Sequence, residues 1–147
     1  MDCEEVMLTV RITAAERGLL RELARGHGSD VSEVAADGLL DVIPALHGDA
    51  GVLRLLRVLS RPAPCAVTLW LPAPLADLLP LVGDRVTRAS GLHIGPASAA
   101  LAAALRLWLA EDPDQLAASL SRLHAHGQPV GVVPVVRSPA LGARVAA

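Results

Sequence analysis

Hydrophobic and polar positions alternate near the start of the chain, in residues 6–13 (VMLTVRIT). A period of two is typical of a strand that buries one face and exposes the other. We therefore predict a strand here. Its inward positions are Leu8, Val10 and Ile12, and its outward positions are Met7, Thr9 and Arg11.

Two helices are predicted directly after this strand. Thr13 precedes an apolar-periodic segment and Glu16 follows three residues later, which is the spacing of a capping box. Gly28 marks the end of that helix. A second start signal follows at once, with Asp30 as N-cap and Glu33 three residues later. The segment is thus predicted to be strand-helix-helix.

The same order of elements is predicted again further along the chain. Residues 66–72 (AVTLWLP) alternate, and Thr68 follows Thr9 by 59 residues. Residues 74–91 predict a longer first helix, broken near Pro80 or Gly83, and a last helix is predicted to run from residues 96–98 to about Trp108. We interpret the two halves as an internal repeat. The outward positions of the second strand are Ala66, Thr68 and Trp70.

The remaining segments divide the chain into four parts. Residues 51–64 (GVLRLLRVLSRPAP) predict a short linker helix, and residues 115–126 predict a further helix. Residues 130–136 (VGVVPVV) are a candidate edge strand in a tail rich in Pro and Gly. The predicted parts are a first copy (1–46), a helical linker (47–64), a second copy (65–110) and a C-terminal helix and tail (111–147).

A single strand with two helices cannot bury its apolar faces alone, whereas two copies can. We expect the two strands to pair antiparallel with the helices packed beneath them. The predicted fold class is mainly α with a two-stranded antiparallel β-ribbon, formed by tandem copies as an intramolecular pseudo-dimer. Crosswise pairing between two chains, giving a homodimer, is the alternative.

The pattern TVRIT, then a helix, then SDVSEVAADGLL resembles the ribbon-helix-helix family of DNA-binding proteins, the Arc, MetJ and CopG kind. Residues 6–44 match in spacing and residue type. Residues 65–109 keep the strand but depart at the helix turn, and they carry Trp70 where the first copy has Arg11. The resemblance implies that double-stranded DNA is the partner and that the protein is a transcriptional repressor or a plasmid-type regulator.

The resemblance also implies that the outward ribbon residues contact bases in the major groove. Arg11 can bridge guanine O6 and N7, the threonines suit adenine or thymine edges, and Trp70 can pack on thymine methyls or sugar. Alternatively, these are ordinary strand residues on a solvated face, and Trp70 packs on a protein surface. The implied base contacts are Met7, Thr9, Arg11, Ala66, Thr68 and Trp70.

In this family the start of the second helix holds a DNA phosphate through free amides and the helix dipole. The matching residues are Asp30, Val31 and Ser32 in the first copy and Ala97 and Ser98 in the second. Asp30 would repel a phosphate and the preceding Pro96 has no N–H, and as helix caps alone these residues need no ligand.

Three linker arginines recur at spacings of three and four residues, which places them on one helical face. Such a row can hold phosphate beside the ribbon, or it is simply a solvated face. These arginines are Arg54, Arg57 and Arg61.

Charge and composition qualify this interpretation. The formal net charge is −2, whereas a nucleic-acid binder is usually basic, so the total charge argues against DNA binding. A DNA-binding face would need its basic residues to be clustered locally. Two cysteines are too few for a disulfide framework, the first residues are acidic, and no apolar run approaches membrane length. These features predict a cytoplasmic protein without membrane contact.

No catalytic or cofactor motif is found in the sequence. His124 and His126 lie two residues apart without a third candidate ligand, and no glycine-rich phosphate loop or nucleophile elbow occurs. We expect neither enzyme activity nor a bound metal or cofactor.

Two alternatives to a DNA regulator stay open. One is a protein-interaction adaptor, such as an antitoxin or relaxosome accessory factor, that binds a protein partner through its C-terminal segment. The other is a family member that has lost DNA binding.

Overall fold

A computed structural model describes residues 4–127, without the side chains of residues 49–50 and 124–127. Two strands, β1 (Glu5–Ile12) and β2 (Cys65–Pro72), form the sheet. The helices between them are α1 (Ala14–Gly26), α2 (Val31–Val42), a short 3-10 helix (Ile43–His47) and α3 (Asp49–Leu59). After β2 come α4 (Ala73–Ala76), α5 (Leu79–Ser90), α6 (Ala97–Leu109) and α7 (Pro113–Gly127).

The two strands pair antiparallel, in a register that runs from Glu5 opposite Pro72 to Ile12 opposite Cys65. Successive side chains of a strand point to opposite faces, so the alternation of apolar and polar residues separates a buried face from an exposed one. The inward face lies on the helices and is almost inaccessible at its centre. Its fully covered residues are Val10, Ile12, Leu69 and Leu71.

Both predicted helix caps of the first half are confirmed. The Thr13 hydroxyl accepts from the Glu16 amide at 3.0 Å, and the Glu16 carboxylate accepts from the Thr13 amide at 2.7 Å. Asp30 and Glu33 form the same reciprocal pair, at 2.9 and 3.0 Å. Because each box satisfies two otherwise unpaired amides, it fixes where α1 and α2 begin.

The second half does not contain the long first helix that we expected. The segment after β2 forms α4, a four-residue helix, and α5 begins only at Leu79, after a turn at Asp77 and Leu78. The break therefore precedes Pro80, which is tolerated in the first turn of α5 because amides there have no helical partner. Gly83 lies buried inside α5, where an added Cβ would come within 3.2 Å of the Ile94 carbonyl oxygen.

The expected fold class, a pseudo-dimer of tandem ribbon-helix-helix copies, is wrong. Residues 4–127 form a single two-stranded sheet with one strand from each half, so neither half contains a ribbon of its own. The halves also differ in their helices, since prolines interrupt the segment that follows β2 and a proline lacks the amide that a helix interior needs. Over these described residues the fold is mainly helical with one small antiparallel sheet.

The core is centred on α6, which packs against β1, α2, α3 and α5. Residues on every side of α6 are buried, which is typical of a helix inside a protein rather than on its surface. Trp108 is fully buried, and its indole N–H donates to the Asp41 carboxylate at 2.9 Å. Its ring lies against Gly38 of α2 so closely that an added Cβ there would be 2.5 Å from the indole.

The predicted linker and C-terminal helices both pack on this core. α3 packs on α6, and α7 contacts both α1 and α2. The His27 side chain joins α1 to α7 through the carbonyls of Leu23 and Ala117, at 3.0 and 3.3 Å. The candidate strand at residues 130–136 lies outside the described residues. Within residues 4–127, no helix combines the length and apolarity needed to cross a bilayer.

Candidate nucleic-acid interface

The outward face of the ribbon is the candidate interface. Thr9 and Thr68 lie opposite each other at its centre, and their hydroxyl oxygens are 3.2 Å apart. Arg11 lies opposite Ala66 at one end, and Met7 lies opposite Trp70 towards the other. All six side chains predicted to contact bases are exposed on this one face.

The end of the ribbon at Arg11, here called the basic end, carries a positioned guanidinium. An Arg11 Nη1 donates to the carbonyl of Pro64, which precedes β2, at 3.0 Å. Because a guanidinium has five N–H donors, the remaining ones stay free for a base edge or a phosphate. The contact holds Arg11 across the start of β2 without consuming its capacity to bind.

The other end, here called the apolar end, has a different chemistry. Met7 and Trp70 form a cross-strand pair with 56% and 48% of their surfaces exposed, and the neighbouring Val6 is 37% exposed. Glu4 and Glu5 lie beside them and are also exposed. Apolar and acidic groups do not bind phosphate, so the face is polar and basic at one end only.

The first predicted phosphate site lies along β2. The Ser32 hydroxyl accepts a hydrogen bond from the Trp70 backbone amide at 2.9 Å, which fixes the start of α2 against the strand. Because a hydroxyl both donates and accepts, the Ser32 O–H remains able to donate to a phosphate. The Asp30 carboxylate is occupied as the N-cap, and Val31 is half-buried beside it.

The second predicted phosphate site is less well equipped. Pro96 is the N-cap of α6 and forms no side-chain capping bond. Ala97 is exposed and Ser98 is half-buried, and the Ser98 hydroxyl has no hydrogen bond to any other residue in the described range. The starts of α2 and α6 are therefore not equivalent.

The three linker arginines do not form one row. α3 ends at Leu59, so Arg61 lies in the turn beyond the helix, and the predicted alignment holds only for Arg54 and Arg57. The guanidinium of Arg54 pairs with Glu111 at 3.6 Å. Arg61 is exposed, and its backbone carbonyl accepts from Arg106 at 3.1 Å, three residues before the Pro64 carbonyl that binds Arg11.

Two groups of residues in the structure were not predicted from the sequence. One is a buried ion pair between Glu16 of α1 and Arg106 of α6 at 3.0 Å, whose partners are 90 residues apart, so no local pattern indicates it. The other is Arg17 and Arg21, which line a cleft between α1 and β2. Their spacing of four residues on a predicted helix was a usable signal, because it places both on one face.

The described side chains include no group of three or more His, Cys, Asp or Glu residues placed to hold a metal ion. The side chains of His124 and His126 lie outside the described set. The ribbon face carries hydrogen-bond donors, hydroxyls and apolar surface.

Comparison with known proteins gives no relative: no family model, no curated protein and no solved structure matches the chain.

Proposed function

We propose that the chain binds double-stranded DNA by inserting the outward face of its ribbon into the major groove, as a transcriptional repressor or plasmid-type regulator. One observation supports this most: Thr9, Thr68 and Arg11 are exposed together on one face of an antiparallel two-stranded ribbon. The resemblance of residues 6–44 to the ribbon-helix-helix family supports the same proposal.

The dimensions of the ribbon suit the groove. Two strands lie about 4.8 Å apart, and the major groove of B-DNA, about 12 Å wide, admits a two-stranded ribbon. In that position Arg11 donates two N–H groups to guanine O6 and N7. The paired hydroxyls of Thr9 and Thr68 contact the neighbouring base pair, and the apolar Met7 and Trp70 pack on thymine methyl groups.

The overall charge of −2 does not describe the surface around the ribbon. Arg11 and Arg61 are exposed near the basic end, and α1 adds Arg17 and Arg21 beside β2. Since the screening length is about 8 Å at physiological ionic strength, these local charges matter more to a docked phosphate than distant acidic residues. The acidic residues Glu4 and Glu5 are at the opposite end of the ribbon. We therefore expect an asymmetric operator.

The test is a selection from randomised duplex DNA, followed by titration of the selected duplex at two salt concentrations. Arg11→Ala removes a base contact, so we expect about a 5- to 150-fold loss of discrimination at one base pair. Arg25→Ala is the matched control, since Arg25 is exposed in the last turn of α1 and is not among the predicted DNA contacts. Failure to enrich any motif, with only feeble binding at low salt, would contradict the proposal.

The exposed apolar end favours a second candidate, a protein-interaction adaptor. Met7 and Trp70 present contiguous apolar surface, which in a binding protein marks a contact with another protein. The segment first assigned to such a partner lies largely beyond residue 127 and outside the described residues. Trp70 fluorescence separates the two candidates because Trp108 is fully buried. Quenching of the fluorescence by the selected duplex, absent in Trp70→Phe, would mean that DNA contacts the apolar end. An unchanged spectrum would mean that DNA does not contact this end, which then stays available to a protein partner.

A further inference from the structure

A cleft of about 280 Å³ lies beside β2, on the flank of the ribbon. One wall is a face of α1, where the spacing of three and four residues brings three side chains together, and the other wall is the first half of β2 with the start of α2. The lining residues are Arg17, Leu20, Arg21, Val31, Ala66, Val67 and Thr68.

Arg17 has an unsatisfied donor at this cleft. Its Nε exposes less than 1 Å² and has no hydrogen-bond partner among the described residues. A buried N–H without an acceptor costs about 1–3 kcal/mol, and such groups are rare in folded proteins. The buried Arg106, by contrast, donates to both Glu16 oxygens and to the Arg61 carbonyl. Arg17 thus lacks an acceptor at its buried Nε, and the same residue lines a cleft with room for an anion.

Arg21 adds a second positive charge one helical turn further along α1. It is exposed, and no described residue accepts a hydrogen bond from it or pairs with it. None of the seven lining residues is acidic, so the two guanidinium charges are not neutralised inside the cleft. An anion bound in the cleft would give these guanidinium groups an acceptor that the described residues do not provide.

A phosphate group has the matching chemistry. The planar guanidinium donates in pairs to phosphate oxygens, and these charge-assisted bonds are stronger than neutral ones. Leu20, Val31 and Val67 form apolar walls beside the two arginines, and charge interactions are stronger next to apolar groups than in bulk water. Ala66 and Thr68 line the cleft and also lie on the outward ribbon face, so a phosphate here adjoins whatever that face binds.

We propose that this cleft is a phosphate-binding site in which Arg17 and Arg21 hold one phosphate group. The assignment of that phosphate to a DNA backbone rests on the proposed function, whereas the phosphate chemistry of the cleft does not. The segment after β2 offers no counterpart, because no basic residue occurs from residue 73 to residue 84. The proposed phosphate site is thus present on only one flank of the ribbon.

The experiment is a calorimetric titration with pyrophosphate at low ionic strength, alongside titration of the selected duplex. We expect pyrophosphate to bind the wild type and to bind Arg17→Gln and Arg21→Gln at least about tenfold more weakly. The control is Arg25→Gln, which removes an equal charge from the same helix at an exposed position away from the cleft. Each cleft variant should also lower the slope of log K against log salt for DNA by about one.

The outcomes separate the site from the function. If the Arg17, Arg21 and Arg25 variants do not differ in their affinity for pyrophosphate or in their affinity for the duplex, the site is overturned and the proposed function still stands. Arg17-dependent binding of pyrophosphate without any duplex binding supports the site with a free phosphate compound as its ligand, and it removes the DNA function. Thermal melting checks each variant first. If Arg17→Gln does not fold, Arg21→Gln decides, because Arg21 is exposed and has no partner among the described residues.

Discussion

The Glu16 carboxylate and the Arg106 guanidinium form an ion pair at 3.0 Å in which the two side chains are only 8% and 6% exposed. Glu16 simultaneously accepts from the Thr13 amide, and Arg106 simultaneously donates to the Arg61 carbonyl. The pair therefore joins the start of α1, the last turn of α6 and the turn before β2. That turn leads to Pro64, whose carbonyl holds Arg11 at the basic end of the ribbon.

Removing the cation of this pair should be strongly destabilising. Arg106→Met leaves the Glu16 carboxylate buried without its counter-charge, which typically costs about 3–5 kcal/mol of unfolding free energy. In the double variant with Glu16→Gln the buried charge is gone while glutamine still suits the capping box. We expect the double variant to recover more than half of the loss, measured by urea denaturation.

The control for this pair is Arg54→Met, which breaks the more exposed Arg54–Glu111 pair at 3.6 Å. A solvated pair of this kind contributes about 0–1 kcal/mol, so the variant should unfold close to the wild type. Strictly additive losses in the Glu16 and Arg106 double variant would show that the two charges do not interact.

Gly38 is required by the indole of Trp108. Alanine in a helix interior is more stable than glycine by about 0.5–1 kcal/mol. A Cβ at position 38, however, would lie 2.5 Å from the indole ring. We expect Gly38→Ala to lower the free energy of unfolding by about 1–3 kcal/mol, because the fully buried indole has no room to move.

Gly18→Ala is the matched control, since Gly18 lies inside α1 and an added Cβ there meets nothing within 4 Å. It should stabilise the protein by about 0.5–1 kcal/mol. Both variants are compared by chemical denaturation, and equal effects at the two positions would mean that the packing of Trp108 does not constrain α2.

Local rules predicted the parts of the fold that depend on neighbours in sequence. The capping boxes at Thr13 and Asp30 follow from a side chain and an amide three residues apart, so the sequence contains the whole interaction. The exposed face of the ribbon likewise follows from the alternation that places Thr9 outward and Val10 inward.

Interactions between distant residues could not be predicted in the same way. Glu16 matches a capping residue, and nothing near it indicates that Arg106 completes its environment. Gly38 inside α2 looks unfavourable until Trp108 is placed against it. The similarity of the two strands led to the expectation of two similar halves, but the prolines after β2 give a short helix and a turn instead. Tertiary packing decided these features.

The Ser32 hydroxyl fixes the start of α2 to the ribbon, and its loss should be measurable. Ser32→Ala leaves the Trp70 amide without its 2.9 Å acceptor, which should cost about 0.5–1.5 kcal/mol of unfolding free energy. Ser98→Ala is the control, because the Ser98 hydroxyl has no such bond within the described residues. Hydrogen exchange at the Trp70 amide should accelerate only in Ser32→Ala. Unchanged exchange would show that this bond does not hold the strand edge.

Asp30 opposes anion binding at the start of α2, and removing its charge should strengthen it. Asparagine caps a helix about as well as aspartate, so Asp30→Asn should change the unfolding free energy by only a few tenths of a kcal/mol. Val31, the next residue, lines the cleft of Arg17 and Arg21, so the lost negative charge lies beside that site. An electrostatic change of about 0.3–1 kcal/mol corresponds to roughly two- to fivefold tighter binding of pyrophosphate and of the selected duplex at low salt. The gain should shrink as salt is added, because the charge is exposed.

The matched control, Asp77→Asn, removes an exposed charge from the turn between α4 and α5 and should leave both affinities unchanged. Equal gains in the two variants would assign the effect to net charge alone and not to the start of α2.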